Sequence, residues 1–151
     1  MSDAYRLAKA FKKKYKKTIA WRIKSHCKII DMHLNSDEKV KYVFLGQKNN
    51  GSFDFVNTNV IVLTNKRLMI ATKRLMFGYF FTSITPDLFN DLTIKKSLIW
   101  GRVVIDTVKE EVLLSNIDPR ALPEIETNIV ENMMKHKRKY ANRVDMKEES
   151  K

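Results

Sequence analysis

The chain of 151 residues, 44% hydrophobic and 10% aromatic, suits one globular domain with a core of its own and fits neither global disorder nor low complexity. A single cysteine, Cys27, excludes an internal disulfide, and with no secretory signal to be read the expected home is a reducing cytoplasm. Of the formal net charge of +12, nine units lie in residues 1–30, where ten Lys/Arg face Asp3 alone; so local an excess points to an arm that meets something anionic.

That arm reads as helix, because residues 3–34 hold no Gly or Pro and abound in Ala, Lys, Leu and Arg. At about 100° per residue, Ala4, Leu7, Ala8, Phe11 and Tyr15 form one apolar stripe with most of the lysines opposite. Beyond Thr18 the apolar set becomes Ile19, Ile23, Cys27, Ile30 and Leu34, on a stripe rotated by roughly 90°. One straight helix cannot offer both stripes to one surface. A break near Thr18 is therefore expected, with the second half docked on the protein and the first freer to project.

From Val40 onward the period changes to alternation. Strands are expected over 40–47, 53–64, 68–74, 77–84, 92–99, 102–108 and 112–117. Asn49-Asn50-Gly51, Thr64-Asn65-Lys66-Arg67, Pro86-Asp87, Trp100-Gly101 and Lys109-Glu110 punctuate them. Asp118 followed by Pro119 marks a helix start, and Leu122, Ile125, Ile129 and Met133 repeat at helical spacing on the way to Tyr140. No run approaches the roughly 18 apolar residues of a membrane span. The expected organisation is a helical arm over 1–35, an α+β domain over 38–140 and a frayed tail over 141–151.

Seven antiparallel strands closed by one C-terminal helix is the layout of the pleckstrin-homology (PH) superfold. Leu63-Thr64-Asn65-Lys66-Arg67-Leu68, Leu98-Ile99-Trp100-Gly101-Arg102-Val103 and Leu114-Ser115-Asn116-Ile117-Asp118 together resemble the bacterial PH-like domain families, the YokE-like group in particular, over residues about 38 to 134. The resemblance implies a PH-like antiparallel β-barrel with a capping helix. It also implies a non-enzymatic interaction module of a kind found mostly in bacteria and their phages. The phosphoinositide pattern of eukaryotic PH domains, basic residues lining the first two strands and their loop, is not matched. That loop offers only Lys48, and residues 53–64 contain no Lys or Arg.

Catalytic chemistry finds little to work with. His26, Cys27, Asp31 and His33 cluster in sequence, yet a zinc ion takes four ligands in tetrahedral array, so Cys27 is expected as a small core residue and His26, His33 and His136 as surface polar groups. The glycines are scattered, and no nucleophile stands beside a base. No enzyme, cofactor, metal or small-molecule substrate is expected.

The basic arm carries the functional reading. Lysine-rich helical faces are ordinarily solvated, but here no Glu stands at i+4 to balance Lys9, Lys12, Lys13, Lys14, Lys16, Lys17, Arg22 and Lys24. In the membrane version these face anionic lipid at about 1 kcal/mol each, with Phe11, Tyr15 and Trp21 as interfacial anchors. Attachment would then be peripheral, at the inner face of the membrane, with or without a protein partner. In the nucleic-acid version the same lysines meet phosphates, and eight Lys to two Arg suits point-charge contacts over base reading. Phe77, Tyr79, Phe80 and Phe81 could form a stacking platform, though an aromatic strand in a small barrel is expected to fill its core.

Overall fold

A computed structural model describes residues 1–48 and 56–150. Helix α1 (Asp3–Lys14) starts at Ser2, whose hydroxyl accepts a hydrogen bond from the Tyr5 amide at 3.3 Å. Helix α2 (Ile23–His33) opens on Arg22, which adopts left-handed backbone (φ 54°) to redirect the chain. The arm is thus broken across residues 15–22, where the two apolar stripes diverge.

Both stripes reach one sheet. α1 lies against strand β1 (Val40–Gln47), and α2 against β2 (Thr58–Thr64) and β3 (Leu68–Lys73), so that β2 is buried along its whole length. The first half of the arm, expected to project, is packed instead. Ala4 and Ala8 are fully buried, and the Phe11 ring sits 6.5 Å from that of Phe44. Two alanines on the contact stripe let the helix approach the sheet closely, which turns a weak apolar face into a tight one.

The remaining strands are β4 (Tyr79–Ile84), β5 (Phe89–Lys96), β6 (Gly101–Thr107) and β7 (Glu111–Ile117), and the antiparallel order is β4-β3-β2-β1-β7-β6-β5. The expected Asn49-Asn50-Gly51 turn and the start of the strand expected over 53–64 lie outside the described residues. β1 meets β7 through the pair Gln47 and Ser115, so the sheet folds there into two leaves. Between the pairs Gly101–Ile117 and Val103–Leu114, β7 carries an extra residue, a bulge in which Asn116 takes φ 58°. The Asn116 carbonyl there accepts from the Ile19 amide at 2.9 Å and ties the α1–α2 linker to the end of the barrel.

The turn joining β2 to β3 is assembled around a buried carboxylate. Arg67 donates from Nε and Nη2 to the two oxygens of Glu38 at 2.9 and 3.0 Å, and the Thr64 hydroxyl donates at 2.6 Å. Arg67 also donates to the His33 carbonyl at 2.7 Å, pinning the end of α2. This accounts physically for the Thr64-Asn65-Lys66-Arg67 motif.

Helix α3 (Leu122–Glu149) buries Leu122, Ile125, Ile129 and Met133 against β5, β6 and the short 3₁₀ turn Pro86–Leu88. Gly101 permits that approach, since a Cβ there would stand 2.7 Å from the Leu122 side chain. The helix continues past the expected end at Tyr140, through residues that contain no Gly or Pro, and those last turns are exposed.

Candidate anionic-surface interface

The eight cations singled out in the arm divide into held and free. Lys12 folds back to donate to the carbonyls of Lys16 at 2.9 Å and Thr18 at 2.6 Å, closing the end of α1. Lys14 pairs with Glu124 of α3 at 2.9 Å, while the partly buried Tyr42 donates from its hydroxyl to the other Glu124 oxygen at 3.1 Å. Arg22 donates to the Lys73 carbonyl at 3.2 Å and, more weakly, to that of Arg74 at 3.4 Å. Lys9 lies 5.5 Å from the Tyr5 ring. Lys13, Lys16, Lys17 and Lys24 are exposed and form no ion pair among the described residues.

The three expected anchors separate more sharply. Phe11 and Tyr15 are only 5% and 7% exposed, their rings 5.0 Å apart beneath α1, so neither can enter a bilayer while the helix is docked. Trp21 is 60% exposed, on the linker. Beside Trp21, the apolar groups that face solvent include several that the sequence reading did not select as anchors. The turn between β3 and β4 lifts Leu75, Met76 and Phe77 into solvent, with Met76 and Phe77 about four-fifths exposed. Gly78, at φ 75°, closes that turn, and its carbonyl accepts from the Arg74 amide at 3.1 Å. Leu98 and Ile99 stand out in the same way on the turn between β5 and β6. The aromatic strand does not fill the core: Phe77, Tyr79 and Phe80 are exposed, and only Phe81 is partly buried, stacked 3.9 Å from His33. Its position at the edge of the sheet explains this, because β4 has a neighbour on one side only. A sequence signal was present, an apolar run over 75–81 that spans a turn instead of avoiding it.

One segment connects these tips. The Trp100 indole donates to the Lys17 carbonyl at 3.2 Å, the Trp21 amide to the Thr58 hydroxyl at 3.0 Å, and Arg22 reaches the end of β3. Residues 15–22 therefore run along one end of the barrel, from the β5–β6 turn to the β3–β4 turn. Beside the latter a cavity of about 380 Å³ is lined by Arg22, Lys73, Arg74, Thr72, Met76 and Phe80, with the Arg74 guanidinium 5.4 Å above the Phe80 ring.

His26 is no surface group. Its Nδ1 accepts from the Lys73 amide at 2.8 Å and its Nε2 donates to the Trp21 carbonyl at 3.0 Å, which defines a neutral ring joining α2 to β3 and the linker. Burial lowers its pKa to about 4. Burial, aided by Asp31, pushes the Cys27 thiol up to about 12, so it is a core residue with no nucleophilic character at neutral pH. Among the described residues no three His, Cys, Asp or Glu side chains converge on a metal position, and no helix is long and apolar enough to cross a membrane.

A seven-stranded antiparallel sheet folded on itself and closed by one C-terminal helix is the pleckstrin-homology architecture. The model of the family described as bacterial PH domain matches residues 34–132, and the chain belongs to that family. The crystal structure of a pleckstrin homology domain from Shewanella amazonensis SB2B is similar at 11% identity, over 74% of this chain and 84% of that one, with a TM-score of 0.44. No curated protein matches the chain. PH domains are commonly interaction modules.

Proposed function

We propose that this bacterial PH domain is a non-catalytic module for peripheral attachment to anionic membrane, at the inner face of the cell membrane. The observation that carries the reading is the apolar tip Leu75, Met76 and Phe77 standing in solvent beside Arg22 and Arg74. Each such side chain gains up to about 1.5–3 kcal/mol on leaving water. Each neighbouring cation adds about 1 kcal/mol near anionic lipid, and Lys16, Lys17 and Lys24 are free to contribute. Attachment is by turns and linker, with α1 serving as scaffold. Nucleic acid is the less favoured partner, because the tip adds the aliphatic Leu75 and Met76 to the Phe77 ring, apolar surface that contacts to phosphates would leave in water.

The test is co-sedimentation of the full chain with phosphatidylglycerol-containing and neutral vesicles, beside a duplex DNA titration. Replacing Leu75, Met76 and Phe77 with Ser should weaken binding to anionic vesicles by at least about tenfold and leave the melting temperature unchanged. Unchanged vesicle binding in that variant overturns the reading. Duplex binding that ignores the tip and collapses with salt would place the cations on phosphates instead.

A further inference from the structure

A groove at the opposite end of β3 carries charge that the interface above leaves unused. It is a cavity of about 400 Å³ between the β2–β3 turn, Pro86 and the outer half of α3, lined by Lys66, His136, Lys139, Arg143, Asn65 and Tyr140. No residue lining it is acidic. The Asn65 side chain is committed to the fold, accepting from the Lys39 amide at 2.7 Å, which leaves three cations to face the space. Lys66 also meets the Asp37 carboxylate at the surface. Lys139 and Arg143 form no ion pair among the described residues. His136 is held below its ordinary pKa by burial and by Lys139, Lys135 and Lys41, so the site resists one more positive charge and suits an anion.

We infer that this groove binds a small phosphorylated molecule, its phosphate groups held by Lys66, Lys139 and Arg143 and its body lying against Tyr140. Three converging cations exceed what one singly charged group needs and match adjacent phosphates, for which Arg offers a two-pronged donor and Lys a point charge. The volume lies within the range of about 300–1,000 Å³ typical of small-ligand sites. Lys66 and Arg74 flank opposite ends of β3, so the groove is separate from the lipid-facing tips and stands whether or not the membrane reading does. The phosphate can belong to a soluble compound or to a lipid headgroup.

The experiment is calorimetric titration of the full chain with inorganic tripolyphosphate. One site per chain is expected, weakened about tenfold or more by Lys139→Gln with Arg143→Gln, both on exposed helical positions that leave the fold intact. Lys95→Gln with Lys96→Gln, at exposed positions of β5 that do not line the groove, removes equal charge elsewhere and should change affinity by less than about twofold. Equal losses in the two variants, or no saturable binding, overturn the inference. Tripolyphosphate should also raise the pKa of His136 followed by NMR, and a ring that does not respond overturns the placement. Competition between tripolyphosphate and phosphatidic acid vesicles would identify the phosphate as a headgroup, and absence of competition as soluble.

Discussion

Glu38 has a side chain wholly removed from solvent and is neutralised by Arg67, itself mostly covered. Burial alone would raise the Glu38 pKa, but the hydrogen bonds from Arg67 and Thr64 outweigh it and hold the carboxyl below its ordinary 4.5. Arg67→Met should destabilise the domain by about 3–5 kcal/mol in urea unfolding, because it strands a buried charge, and adding Glu38→Leu should recover most of that loss. The lowered pKa means that the Glu38 contribution is present above pH 4.5 and is lost as pH falls below it. His26 acts in the adjacent window. Its folded pKa of about 4 lies under the unfolded 6.5, so the unfolded chain binds the extra proton and stability falls as pH drops from 6.5 toward 4. Melting temperatures across that interval should decline in the wild type and flatten in His26→Gln. None of this burial was legible beforehand, since one His in a helix gives no sign of which neighbour its two ring nitrogens will find.

At the scale of elements, the break in the arm was legible and the docking of its first half was not. The rotation between stripes requires a change of direction, whereas a lysine-covered helix looks the same from outside whether its other face meets lipid or a sheet. Ala4 and Ala8 were the clue, being too small to anchor in a bilayer and well sized for close packing. Phe11→Ser should therefore act on folding, lowering stability by about 3–5 kcal/mol in thermal or urea melts, with vesicle binding preserved at temperatures where the variant remains folded. The C-terminal helix was legible in its heptad-like repeat, but its seat at Gly101 was not. Gly101→Ala should cost about 1–3 kcal/mol by pressing on Leu122, measurable as a lowered unfolding midpoint. Strand positions were readable from alternation. The exposure of β4 was not, because Tyr79, Phe80 and Phe81 present aromatic side chains to both faces and pattern alone cannot tell an edge strand from an inner one.

For the molecule as a whole, the family match begins at residue 34, yet α1 and α2 cover the surface of β1, β2 and β3. A fragment beginning at residue 38 would uncover that surface and should aggregate or melt well below the full chain, which light scattering and circular dichroism would register. The six residues of β3, Leu68–Lys73, set a length of about 20 Å between the turn that bears Arg74 and the turn that bears Lys66. That is more than twice the screening length of about 8 Å at physiological ionic strength. A strand of this length is an electrical insulator as much as a spacer. The potential of a charged sheet at one end has decayed before it reaches the other, so an anion could settle in the far groove without being repelled by the lipid, and each end would keep its own dependence on salt.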